Sequence, residues 1–270
     1  MNNYSLRLNK KGFLSRLSAT TQLIILNVVF FIVFLIVDSF YKDFFSYIAL
    51  QPSAILHGQK LWTIITSMFM HAGFFHLFFN MFSLFFVGRF LEKLIGRKRF
   101  FWIYLVSGIV GNLFFVFGGF IFGNDIPGVG ASGAIFGILG VLAVLVPFSR
   151  IYLIIGPLIV IVLDVLSMQF LPANVATLIS ALLNILILLM IFSIMIPFNT
   201  RFRKLAIPLE LKMWLLPIVA IVPLVIIGFF VELPIGNSAH IGGLVAGLIY
   251  GFYLTRKYKN KTKLLRQHFR

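Results

Sequence analysis

Long apolar runs alternate along this chain with short polar, basic or glycine-rich stretches. The runs fall at about 22–41, 75–91, 100–122, 132–148, 151–170, 174–196, 212–231 and 238–255 and carry few charges. Several approach the roughly 20 apolar residues that take a helix across a ~30 Å hydrocarbon core, and 132–148 is shorter. In lipid a helix satisfies its own backbone, so runs of this kind are read as membrane helices. The pattern predicts eight spans in one membrane domain over 22–255. Arg7, Lys10, Lys11 and Arg16 precede the first run in the manner of a signal peptide. Val37-Asp38-Ser39-Phe40 follows it instead of a small-residue cleavage site, so it is read as an uncleaved first span.

Charge sets the expected orientation. With an even number of spans both termini share one side, taken as cytoplasmic. Of the 23 Lys and Arg, 21 then lie inside, in 1–21, 89–99, at Arg150, in 201–212 and in 256–270. Only Lys42 and Lys60 fall outside, the asymmetry the positive-inside rule requires. The segments 1–21 and 256–270 are read as a basic cytoplasmic N-terminus and tail, the tail resting on anionic lipid. The outer loop 42–74 is itself aromatic (Phe44, Phe45, Tyr47, Trp62, Phe69) and suits the membrane interface.

Composition agrees: 60% of residues are hydrophobic, 33 are Phe and 11% are charged. A soluble domain cannot hide that much apolar surface. The net charge of +16 invites a nucleic-acid reading. The positives, however, come in short clusters between apolar runs without interleaved aromatics, so no nucleic-acid partner is expected. With no cysteine, disulfides, thiolate metal sites and a Cys nucleophile are excluded.

The candidate chemistry sits at helix starts. Ser132 lies in Gly130-Ala131-Ser132-Gly133-Ala134-Ile135-Phe136-Gly137. His240 lies in Ser238-Ala239-His240-Ile241-Gly242-Gly243, with Gly247 and Gly251 following at intervals of four. Glycines four apart let membrane helices approach to backbone contact. Both helices run from outside to inside, so both residues fall near the outer ends. His76 and Asn80, four apart, share one face of another helix that enters from outside. The stretch 123–130 is too rich in glycine, with Pro127, to be helical, and irregular backbone at this depth implies a water-accessible pocket. Serine is a weak nucleophile until a base takes its proton, a part His240 can play. His76, Asn80 and the Ser132 amide can donate to a developing oxyanion. No carboxylate stands near His240 except Glu232, so a dyad is expected and not a triad.

These pieces, Gly130-Ala131-Ser132-Gly133, His76-Leu77-Phe78-Phe79-Asn80 and Ala239-His240-Ile241-Gly242-Gly243 with Gly247, resemble the rhomboid family of intramembrane serine proteases. Trp62 and Glu92 also fall where the family has a loop Trp and a Glu. The resemblance implies an all-α polytopic bundle with a six-helix core and two additional spans, 151–170 and 174–196, inserted as a pair. It implies Ser132 as nucleophile, His240 as base, and His76, Asn80 and Ser132 around the oxyanion, with Gly130, Gly133, Phe136, Gly243 and Gly247 in support; His71 is read as a structural supporting residue that bonds loop backbone beneath the pocket. It also implies transmembrane protein substrates cut near the outer face at small residues, no cofactor, and a place in the cell membrane. Two details depart from the family: Phe136 stands where some members have Tyr, and Thr63 follows Trp62 where Arg is frequent.

Other readings attach to other residues. Asp164 lies mid-span, where a charge is costly, with Asn184 as its expected hydrogen-bond partner. A small-solute transporter would need more such groups. A rhomboid-like protein that binds membrane clients without cutting would be expected to lack Ser132 or His240. His71 and His76 without supporting carboxylates make a poor metal site. Glu92 reads as a structural contact at the inner side, and His57 and His268 as solvent-facing.

Overall fold

A computed structural model of the protein describes residues 17–195, 207–228 and 236–269. They form a polytopic helical bundle in two compact units. The first holds the described residues up to Leu145 together with those from 236 to Thr262; the second holds the described residues between Val146 and 228 and those from Lys263 to 269.

In the first unit, α1 (Ala19–Phe40) is followed by three short outer-loop helices: α2 (Phe44–Ile48), α3 (Pro52–Leu56) and α4 (Thr63–Thr66). Then come α5 (Phe74–Ile95), α6 (Arg97–Phe122), α7 (Ser132–Leu145) and, after the second unit, α11 (Asn237–Lys257). Helix starts and stops have local causes. The Ser18 hydroxyl accepts from the Thr21 amide at 3.1 Å, an N-cap. Glu92, on α5, completes that cap from a distance: its carboxylate accepts from the Ala19 amide (2.7 Å), the Thr20 amide (2.9 Å) and the Thr20 hydroxyl (2.7 Å). The expected contact of Glu92 is therefore with a helix N-terminus, where the unpaired amides favour negative charge. α6 ends at Gly123, whose φ of 64° suits a glycine stop.

The core is built around α7, which is buried along nearly its whole length. Glycines let α6 and α11 come against it. A Cβ on Gly243 would collide with the Gly133 carbonyl oxygen, and one on Gly247 with that of Gly137. A Cβ on Gly140 would stand 2.7 Å from the Leu244 carbonyl oxygen. At the outer end three backbones converge, since a Cβ on Gly111 of α6 would lie 2.7 Å from the Ala239 carbonyl oxygen and 3.4 Å from the Gly133 Cα. Packing is the force that associates helices in lipid, and here it acts backbone against backbone.

In the second unit an antiparallel pair, β1 (Arg150–Ile154) and β2 (Pro208–Lys212), is registered Tyr152 to Glu210. α8 (Ile155–Phe170) and α9 (Ala173–Met195) pack as a hairpin, and a 3₁₀ turn at Met213–Leu215 leads into α10 (Leu216–Gly228). The eight apolar segments of the sequence thus reappear as helices, with one start corrected by several residues: 151–154 are extended and not helical, and they pair with 208–212, of which only Lys212 fell in an expected run. The reason is local: β-branched Ile151 and Ile154 favour a strand, and the Arg150–Glu210 ion pair (2.9 Å) with the Tyr152 hydroxyl on Glu210 (3.2 Å) ties the two edges. α7 stops at Leu145, shortly before Pro147, and does not reach Phe148. Among the described residues five helices, α1, α5, α6, α9 and α11, are long and apolar enough to cross a membrane, and α7, α8 and the stretch Met213–Pro223 are shorter apolar helices. The tail forms α12 (Lys259–His268), with its Lys and Arg exposed. Most of the basic segment 1–21, the basic residues 201–204 and Glu232 lie outside the described residues.

Glycine packing predicts a stability difference. Gly247→Ala pushes a methyl into the Gly137 backbone and is expected to cost about 1–3 kcal/mol, the usual range for overpacking. Gly73→Ala meets nothing within 4 Å and is expected to change stability much less. Thermal unfolding of the purified protein in detergent checks the contrast, and equal melting temperatures would count against it.

Candidate functional site

The site assembles where α7 and α11 begin. Ser132 is the first residue of α7 and stays partly accessible; His240, in the first turn of α11, is buried. Although 108 residues apart in sequence, the Ser132 Oγ and His240 Nε2 are 2.8 Å from each other. Each is next in sequence to a residue of the glycine convergence, Gly133 and Ala239, so backbone packing sets their separation. The Phe136 ring stacks on the imidazole with centroids 4.5 Å apart and planes 23° from parallel. The aromatic face does this without the hydroxyl that a Tyr would add. His240 Nδ1 has no hydrogen-bond partner among the described residues, and no described carboxylate stands behind it.

His76 and Asn80 approach from α5. A Cβ on Gly130 would stand 2.9 Å from His76 Nε2 and 3.9 Å from Ser132 Oγ. Gly130 has φ 127°, a conformation L side chains rarely adopt, so glycine serves both backbone and space there. The Ala72 amide donates toward His76 Nδ1 at 3.4 Å, which leaves the ring proton on Nε2, the nitrogen facing Gly130. Asn80 Nδ2 donates to the His76 carbonyl oxygen at 2.9 Å and has a second N–H. Gly133, Gly243 and Gly247 lie at the helix contact, and His71 lies fully buried with its ring centroid 5.1 Å from that of His76. The structure therefore gathers Ser132, His240, His76 and Gly130 in one place, with Phe136 and His71 against the two imidazoles.

The loops around the site are held by contacts that no motif announced. The strand-like residues Leu50 and Gly128 exchange backbone hydrogen bonds of 3.0 and 2.8 Å. Exposed Asp125 accepts from the Ser53 amide and hydroxyl, both at 2.7 Å, and from Gln51 Nε2 at 2.9 Å. The slight burial of Asp125 pulls its pKa upward, but these three donors together hold it below the usual carboxylate value. The Gly130 amide donates to the Ser67 carbonyl at 2.8 Å, and Asn112 Nδ2 donates to the Ile64 carbonyl (2.8 Å) and the Ser67 hydroxyl (2.9 Å). Asn112, a polar residue inside a long apolar helix, carried the one available sequence signal for this scaffold. Trp62 Nε1 donates to the Tyr47 carbonyl at 2.8 Å while its ring stays exposed, as an interfacial Trp would.

Elsewhere, the expected pairing of Asp164 with Asn184 does not form: Asp164 Oδ1 is buried without a partner among the described residues, and Asn184 Nδ2 faces the Ser180 hydroxyl at 3.4 Å. His57 and His268 are exposed. Among the described residues no three His, Cys, Asp or Glu side chains cluster as a metal would require.

The fold defines a multi-pass helical membrane protein with a serine and a histidine in contact at one end of its core helices. The Rhomboid domain description matches residues 58–192 and 185–257, and the chain belongs to the rhomboid family. It is 42% identical over 94 residues to Rhomboid protease GluP of Bacillus subtilis, a match covering 35% of this chain and 17% of that protein. It is 41% identical over 91 residues to Inactive RHOMBOID-like protein 8 of Arabidopsis thaliana, covering 34% and 25%. It is 39% identical over 97 residues to Rhomboid protein 1, mitochondrial, of Saccharomyces cerevisiae, covering 35% and 28%. The matches span less than a third of these relatives' own lengths. One relative is named a protease and another inactive, so membership supports an intramembrane protease or a rhomboid-like function without choosing between them.

His71 gives a pH prediction. Burial, reinforced by the neighbouring His76 ring and only partly opposed by the Phe69 backbone, lowers its pKa from 6.5 to about 3. The folded state holds the ring neutral while the unfolded chain protonates near 6.5. Its stabilising contribution is therefore complete above pH 6.5 and is lost as pH falls from there toward 3. Unfolding measured from pH 7.5 to 4.5 is expected to show a steeper acid loss of stability in the native chain than in His71→Gln. Identical slopes would contradict the assignment.

Proposed function

We propose that this chain is an intramembrane serine endopeptidase working through a Ser132–His240 dyad. The observation that carries the reading is the 2.8 Å contact between the Ser132 hydroxyl and His240 Nε2. His240 Nε2 takes the hydroxyl proton as Ser132 Oγ attacks the scissile carbonyl. The proton then sits on an imidazolium steadied by the Phe136 face. His76 Nε2–H, the second N–H of Asn80 and the Ser132 amide at the start of α7 supply donors for the oxyanion. His240 returns the proton to the leaving amine, and water then repeats the cycle on the acyl-enzyme. Gly130 keeps the space between His76 and Ser132 open for the carbonyl. No residue in this scheme calls for a cofactor.

The substrates we propose are single membrane-spanning proteins, cut toward the outer end of their helix at small residues where the helix unwinds readily. The protein sits in the cell membrane, with its basic clusters inside against anionic lipids and both termini cytoplasmic. The similarity to a relative named inactive supports one alternative, a protein that binds membrane clients without cutting them. The presence of both Ser132 and His240, already in hydrogen-bond contact, favours the enzyme.

Co-expression with a panel of single-span proteins, with mass spectrometry of the fragments, tests this. Cleavage is expected with the native chain and is expected to fall by roughly 10⁴ or more in Ser132→Ala and His240→Ala. His76→Ala or Asn80→Ala is expected to lose on the order of 10². Cutting that persists in Ser132→Ala would rule the dyad out.

A further inference from the structure

The end of the bundle away from Ser132 carries a feature that proteolysis does not use. Between the first turns of α1 and α6 lies an open pocket of about 380 Å³, lined by Ala19, Gln22, Arg97, Lys98 and Phe101. α1 contributes Ala19 and Gln22 to the lining, and α6 contributes Arg97, Lys98 and Phe101. Arg97 Nη2 donates to Gln22 Oε1 at 2.7 Å, which holds the guanidinium on the pocket wall. Lys98 is exposed beside it. The nearest acid in sequence, Glu92, does not line the pocket, and its carboxylate is spent on the α1 amides and the Thr20 hydroxyl.

Above the pocket, both helices present apolar side chains outward. On α1 these are Leu26, Val29 and Val33, each about half exposed; on α6 they are Phe101, Trp102 and Val106. Gln22, Leu26, Val29 and Val33 follow one face of α1, and Lys98, Phe101 and Trp102 lie within one turn of α6. A pocket that holds Arg97 and Lys98 thus lies at the foot of two exposed apolar strips.

We infer that this pocket seats the phosphate of an anionic phospholipid, with the acyl chains along α1 and α6. The chemistry is selective in two ways. Guanidinium and ammonium groups match a phosphate oxyanion, the guanidinium through its planar fork of donors. A zwitterionic headgroup would bring a second cation against Arg97 and Lys98 with no pocket carboxylate to receive it. A soluble phosphate would satisfy the cations and leave Phe101 and the strips above it without use. The occupant is therefore a lipid and not a free anion. The site is local and stoichiometric, unlike the diffuse attraction that exposed α12 offers. It does not depend on the dyad.

The test uses the full chain carrying Ser132→Ala, so the result is independent of catalysis. Native mass spectrometry counts lipids retained from mixed phosphatidylglycerol and phosphatidylcholine. One phosphatidylglycerol is expected to be retained in preference to phosphatidylcholine. Arg97→Gln with Lys98→Gln is expected to weaken it on the order of tenfold, since each basic residue near an anionic surface contributes a few-fold. Lys261→Gln with Lys263→Gln, on α12, is expected to leave it in place. Melting in phosphatidylcholine alone reports whether the pocket variant folds; should the double variant fail, Lys98→Gln alone is read the same way, with a smaller loss. Equal weakening by the α12 variant, displacement by millimolar inorganic phosphate, or equal retention of both lipids would each overturn the proposal.

Discussion

The contact between the backbones of α7 and α11 is the constraint on which the rest of this structure depends. Where Gly243 meets the Gly133 carbonyl and Gly247 meets that of Gly137, there is no room for a methyl group. Gly111 on α6 closes the same point against Ala239. Lipid offers little drive for burying apolar surface between helices, so close packing must supply it. Ser132 and His240 are the next residues along from this convergence, and their 2.8 Å separation follows from it. A side chain that needs a partner at hydrogen-bond distance is thereby carried on the least adjustable part of the molecule.

The outer loops extend that rigidity to the irregular backbone before α7. Asp125 grips Ser53 and Gln51, Leu50 pairs with Gly128, and Asn112 fixes the turn whose Ser67 carbonyl receives the Gly130 amide. Backbone that is not helical is tolerated near lipid only when such partners satisfy it. The opposite end is organised by charge. Glu92 caps α1, and Arg97 and Lys98 line a pocket between the first turns of α1 and α6. The first unit therefore carries the Ser132–His240 contact at one end and the pocket with Arg97 and Lys98 at the other.

Much of this was legible from residue order because the membrane simplifies the code. Eight apolar runs mapped onto helical segments, since a chain in lipid has few other ways to pair its amides. Ser132 and His240 stood out because polar groups on glycine-ridged helices are rare without purpose. What escaped notice were contacts that depend on three dimensions. Nothing in the spacing says that Glu92 reaches Thr20, 72 residues earlier, or that Asp125 reaches Ser53. The strand at 150–154 is hidden at the start of an apolar run, because hydrophobicity alone does not separate a short strand from the end of a helix, and its partner at 208–212 lies in the stretch before the next run. The pairing of Asp164 with Asn184 failed for the related reason that hairpin register, unlike composition, is set by packing.

The most direct measurement of the central claim is the rate at which a fluorophosphonate modifies Ser132 in Gly243→Ala, compared with the native chain at a temperature where both remain folded. If backbone contact sets the serine–histidine distance, pushing α11 off α7 should slow phosphonylation at Ser132 by about 10² or more, in line with the loss expected from a misplacement near 1 Å. An unchanged rate in a folded Gly243→Ala protein would contradict the account.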